Sequence, residues 1–164
     1  MAFTYRAITT TTVGAGGASN ITFSNIPQTF TDLLIKASLR DSRTDAPVTD
    51  TIVTFNSSSS GYSLRMIYGQ STGTGTSGNA SATYIAGLYE NTNQTTSNTF
   101  CNTDIYIPNY TSSSNKSVSV EAVTEKNGAT DIYVSFVAGL WANSSAITSI
   151  TLAPMYGSLT YCLL

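Results

Sequence analysis

Carboxylates are the residues in this chain whose type and spacing suit chemistry best. Asp41, Asp45 and Asp50 fall within one short polar stretch, RDSRTDAPVTD. Oxygen-rich loops of this kind hold calcium. The spacing fits no EF-hand pattern, and Arg40 and Arg43 sit among the acids, so a solvated or salt-bridged loop is the favoured reading. A second set, Asp104, Glu121, Glu125 and Asp131, contains enough acids for the pair that glycoside hydrolysis needs. Nothing in the spacing fixes a separation between them, and the surrounding pattern is that of ordinary strands. Serines are abundant, but the chain has no histidine and no G-x-S-x-G elbow, so no serine has an evident activating base. The same lack removes the commonest metal ligand. Neither a catalytic group, a cofactor site nor a metal site is assigned. Cys101 and Cys162 either pair or remain as two buried thiols, since both sit in apolar, strand-like surroundings.

Elements that position such residues show as period-two alternation, the mark of strands with one wet and one dry face. The clearest unit runs from Phe100 to Glu125. Phe100, Asn102, Asp104 and Tyr106 alternate with Cys101, Thr103, Ile105 and Ile107, and Pro108 ends that strand because it offers no N–H to a ladder. After a polar loop, Val118, Val120 and Ala122 alternate with Ser117, Ser119 and Glu121. Further strands are expected over Phe3–Ile8, Asn20–Ile26, Asp32–Arg40, Thr51–Phe55, Leu64–Tyr68, Ala82–Leu88, Thr130–Trp141, Ala146–Ala153 and Ser158–Leu164. Gly69–Ala80, GQSTGTGTSGNA, reads as a long mobile loop, and Asn127-Gly128 as a tight turn. Residues 9–19, small and glycine-rich, read as a loop or a flexible arm. The expected core comprises Leu34, Ile52, Phe55, Ile105, Ile107, Val118, Val120, Val134, Phe136, Ile150 and Leu152. Many short strands with turn signals between them imply an all-β chain: one antiparallel β-sandwich of jelly-roll type over residues 1–164.

The 164 residues suffice for one domain with a real core. Hydrophobic residues make up 41% but charged residues only 10%, far below the usual quarter. The polar surface is therefore built from Ser, Thr, Asn and Gly, which repels weakly and suits lasting contact with neighbouring subunits. A net charge of −2 and a pI near 4.8 leave no basic footprint for nucleic acid. No apolar stretch reaches membrane-spanning length, and the start lacks the long apolar run of a signal peptide, so no membrane partner is expected. Tyr62 and Tyr110, beside loops, are the aromatics expected at a subunit or ligand contact, with Thr9, Thr10, Thr11 and Thr12 of the arm. Trp141 is expected in the core.

Several segments carry a resemblance in their order: FSNIPQTFTDLLIKASLR, VTFNSSSSGYSLRMIYG, YIPNYTSSSNKSVSVEAVTE and AGLWANSSAITSITLAP. They resemble a family of small structural proteins of tailed, mostly marine, bacteriophages. The matched motifs are Ile26 to Leu33, then Phe55-Asn56 with Gly61-Tyr62-Ser63, then Ile107 to Tyr110, then Gly139 to Trp141. The resemblance covers nearly the whole chain. It implies a non-enzymatic virion protein assembled in the host cytoplasm: a decoration or cement protein outside the head, with the phage major capsid protein as partner; a homotrimer is expected because it would match three-fold points on a shell. Its alternative is a tail fibre or spike domain that binds host surface glycan. The chain begins without a long coiled coil and stops soon after its last strand, which favours a free-standing subunit.

Overall fold

A computed structural model describes residues 4–128 and 132–160. Among them lie ten strands and no helix. They are β1 (Ile21–Phe23), β2 (Leu33–Ala37), β3 (Val48–Phe55), β4 (Tyr62–Gln70), β5 (Gly73–Ala82), β6 (Ile85–Asn91), β7 (Asn102–Ile107), β8 (Lys116–Thr124), β9 (Tyr133–Trp141) and β10 (Ile150–Pro154). One sheet has the order β1-β10-β3-β6 and the other β2-β7-β8-β9-β4-β5, with every strand pair antiparallel. The expected all-β sandwich is what forms.

The two sheets share one apolar interior. Val53, Phe55, Ile85, Leu88, Ile150 and Leu152 come from the smaller sheet, and Leu64, Ile105, Ile107, Val118, Val120, Val137 and Trp141 from the larger. Phe55, Tyr62 and Trp141 form its aromatic centre, with Tyr62 stacked on Trp141 at 6.2 Å between ring centroids. A second, smaller cluster gathers Val13, Ile21, Ala37, Leu39, Cys101 and Leu159. Cys101 is buried there with its Sγ 3.8 Å from Thr103 Oγ1; Cys162 lies outside the described residues.

The strands of the Phe100–Glu125 unit appear in the expected phase. β8 alternates without a break, with Lys116, Val118, Val120, Ala122 and Thr124 buried. The phase of β9 is the reverse of the expected one: Val134 and Phe136 are exposed, whereas Ser135, Val137, Gly139 and Trp141 face inward. The cause is the close approach of β6. The Ser135 hydroxyl donates to the Gly87 carbonyl at 2.6 Å, and a Cβ at Gly139 would lie 2.9 Å from Ile85 Cδ1. Only small side chains fit there. Gly87 itself has φ 95°, which a β-bulge accommodates where the β3–β6 register shifts. Leu34 and Ile52 are half-buried rather than core.

Gly69–Ala80 is not a mobile loop. Its second half is β5, which pairs with β4 from Gln70↔Gly73 to Tyr62↔Ala82. The glycines make room for β4 side chains, since a Cβ at Gly75 would lie 2.5 Å from the Tyr68 hydroxyl and one at Gly78 2.4 Å from Arg65 Nη1. The expected strand over Phe3–Ile8 does not form in residues 4–8, which are exposed and irregular; Phe3 lies outside the described residues. At the other end only Leu159 bridges, to Ala18 and Asp41, and residues 161–164 lie outside the description.

Loop 92–99 is held by a buried cation. Arg40, 6% exposed, donates from Nη1 to Thr95 Oγ1 at 3.1 Å, Thr96 O at 3.2 Å and Thr99 O at 2.8 Å. Burial lowers its pKa, and the carbonyls replace its water.

Candidate functional site

Tyr62 and Tyr110 are not surface contacts. Both are buried, and each hydroxyl is satisfied inside the protein: Tyr62 accepts the Phe55 N–H at 2.7 Å, and Tyr110 donates to the Pro27 carbonyl. Their neighbouring loops fold over them, so the rings serve the core. Burial pushes the Tyr62 hydroxyl pKa up. Trp141 lies in the core as well.

Thr9, Thr10 and Thr12 are exposed and Thr11 is half-buried. Val13 next to them is buried in the second cluster, and Ala18 bridges Leu159 through paired backbone hydrogen bonds of 2.9 Å. Residues 9–19 therefore divide: Thr9 and Thr10 are exposed and outside the ladders, whereas Thr11 is half-buried and the anchored part begins at Thr12, which takes part in a β-bridge, and Val13.

The exposed part borders a cleft of about 640 Å³ at the open side of the sandwich, where β1 and β2 are the edge strands. Thr4 to Thr9 form one wall. Phe23, Ile26, Phe30, Leu33 and Ile150 supply apolar lining, and Asp32, Lys36 and Tyr106 supply polar groups. Asp32 is held rigidly: Oδ2 accepts the Tyr106 hydroxyl at 2.8 Å and Oδ1 the Asn109 N–H at 2.9 Å. The bond to Asp32 raises the Tyr106 pKa. Lys36 pairs with Asp104 at 2.5 Å, and that bond raises the lysine pKa. Tyr5 stands 83% exposed beside the cleft, an aromatic face open to solvent. The arrangement suits an extended or planar apolar group more than a highly charged one. No single residue of it stands out in sequence, because the wall, residues 4–9, is closed by lining from separate segments, including Tyr106 and Ile150.

The Asp41, Asp45 and Asp50 side chains do not converge, and no group of three acids, cysteines or histidines suited to a metal exists among the described residues. Asp45 forms an ion pair with Arg43 at 2.5 Å, while Arg43 lies 4.6 Å above the Tyr156 ring. Asp41 is buried against Gly157, accepts the Arg43 N–H at 2.5 Å and has its pKa pushed up to about 6, chiefly by desolvation. Asp50 accepts the Gly87 N–H at 3.2 Å and is also raised by burial.

Glu90 was not singled out by spacing. It is wholly buried, accepts the Thr51 hydroxyl on Oε1 at 2.7 Å, and leaves Oε2 without a hydrogen-bond partner among the described residues. Desolvation raises its pKa well above the ordinary value. Of the other acids, Asp104 and Glu121 stand opposite each other on β7 and β8, and Glu125 accepts the Asn127 N–H at 2.7 Å in the turn. Asp131 lies outside the described residues. The chain matches no protein-family model, no curated protein and no solved structure.

Proposed function

We propose that the chain is a non-enzymatic structural protein of a tailed-bacteriophage virion. In this reading it is a decoration or cement subunit on the outside of the head, a homotrimer bound to the major capsid protein. The segment before Thr11 carries the reading. It is exposed, rich in threonine and anchored at its far end, so it can reach a neighbour without disturbing the sandwich. The low charge supports it, because little repulsion opposes packing of many copies. Three equal contacts on a shell also strengthen a weak one by avidity.

A second reading, a tail-fibre or spike domain for host glycan, draws on Tyr5 and Tyr106 at the cleft, since exposed aromatic faces stack on sugar rings. Sedimentation with empty heads of the cognate capsid protein separates the two. The full chain should co-sediment, and a chain lacking residues 1–10 should do so at least tenfold more weakly. A chain that never co-sediments with heads yet binds host cells supports the fibre reading instead.

A further inference from the structure

The outer face of the larger sheet presents large apolar side chains to solvent. Ile67 is 59% exposed and Phe136 50%, and these two stand directly opposite each other on β4 and β9. Val123 and Val134 form another such cross-strand pair, and Leu140 extends the strip along β9. Contiguous apolar surface of this kind on a folded domain marks a contact site. A depression of about 790 Å³ runs along it beside Arg65, Ile67, Phe136 and Ala138.

Two unpaired charges of opposite sign flank the strip. Across the sheet, one row reads Lys36, Asp104, Glu121, Phe136, Ile67. Lys36 is bonded to Asp104 and acts on Glu121 only from a distance, so Glu121 makes no ion pair or hydrogen bond of its own among the described residues. The next outward row reads Ser119, Ala138, Arg65. Arg65 lies across Gly78, is exposed and likewise has no carboxylate partner among the described residues. Of the other basic residues, Arg43 holds Asp45, and Arg40 and Lys116 are buried on carbonyls. Glu121 and Arg65 thus sit on opposite sides of Phe136 and Ala138, two strands apart and one outward step out of line, about 12 Å between their Cα atoms.

We propose that this face binds a second copy of the same chain about a two-fold axis lying in the interface between Phe136 and Ala138. A two-fold axis exchanges the two charged positions, so Glu121 of each copy meets Arg65 of the other, and the two apolar strips pack together between the charge pairs. The four strands from β7 to β4 offer about 20 Å by about 30 Å per copy, so pairing buries about 1,200 Å² in total, the lower end of stable interfaces. The pairing uses a different surface from the cleft and does not depend on the virion reading. Whatever species the chain forms through other contacts, this face doubles it.

Sedimentation velocity on the purified full chain, without capsids, tests the pairing. Wild type should show twice the mass of Arg65→Glu and of Glu121→Arg, each of which sets like charges against each other. The double variant Arg65→Glu/Glu121→Arg should regain the wild-type mass, and Phe136→Ser should halve it with an unchanged circular dichroism spectrum. Equal masses for wild type and both single variants would overturn the pairing, as would a natively folded double variant that stays at half mass. The result leaves the capsid reading untouched either way, since no capsid is present.

Discussion

Glu90 is a buried carboxyl that its sequence surroundings do not mark. It leaves one oxygen without a hydrogen-bond partner among the described residues, on a strand whose neighbours are ordinary. The folded chain holds its proton to a pH well above 4.5, so the unfolded chain loses that proton first as pH rises. Stability contributed by this group is therefore complete at low pH and lost as pH climbs from about 4.5 through the folded value. Asp41 adds a smaller loss of the same sign between 3.8 and about 6. Urea unfolding should give Glu90→Gln and wild type similar midpoints at the acidic end, where both side chains are neutral. Wild type should then fall below the variant by about 1 kcal/mol or more near neutrality. Parallel curves across the range would show that the carboxyl is not protonated in the fold. Sequence marked Tyr62 and Tyr110 by their nearness to loops, but nearness along the chain does not report which loops fold back. The hydroxyls' backbone partners, Phe55 and Pro27, supply what solvent was expected to supply.

Strands show how far alternation reaches. β7 and β8 were legible because one face is mostly Asn, Asp, Ser and Glu and the other mostly aliphatic. β9 reads Tyr-Val-Ser-Phe-Val-Ala-Gly-Leu-Trp, apolar on both faces, so a period of two gives its existence and not its phase. The inward Ser135 and Gly139 are small because β6 passes close, a fact of tertiary packing. The two phases make opposite predictions. Val137→Asp should cost about 3–5 kcal/mol or prevent folding, and Val134→Asp, read in the unpaired Arg65→Glu background, should stay within about 0.5 kcal/mol. Thermal melts of the two variants decide it, and the reverse ranking would restore the sequence phase. β5 was missed for a different reason: its small residues leave no alternation to see, and its ladder depends on β4.

At the scale of the molecule, the class of fold followed from many short alternating runs, while the strand order did not. Which strands neighbour one another depends on contacts between segments far apart, such as β1 with β10 and β2 with β7. The cleft was illegible for the same reason. Its wall, residues 4–9, falls mostly within the stretch that alternation marks as a first strand, and only the packing of Val13 and Ala18 separates arm from anchor. Removing residues 1–10 should leave unfolding within about 0.5 kcal/mol of wild type. Removing residues 1–19 takes Val13 and the Ala18–Leu159 bridge with it and should cost about 2–4 kcal/mol by differential denaturant unfolding. Equal midpoints for the two truncations would mean that the second cluster holds without its first segment.

The buried Arg40 has a consequence in time as well as in space. Loop 92–99 lies outside every strand, yet the Thr95 and Thr99 amides bond to the Thr92 and Thr96 carbonyls at 3.0 and 3.3 Å, and the guanidinium caps the Thr95, Thr96 and Thr99 carbonyls. Opening that turn means returning a desolvated cation to water, which links it to loss of the surrounding fold and not to local fraying. Its amides should exchange with deuterium as slowly as those of neighbouring β6, and proteases should pass it by and cut first within residues 4–10. Arg40→Met, which keeps bulk and removes the donors, should let the Thr95 and Thr99 amides exchange at least tenfold faster while β8 is unchanged; equal rates would place the clamp elsewhere.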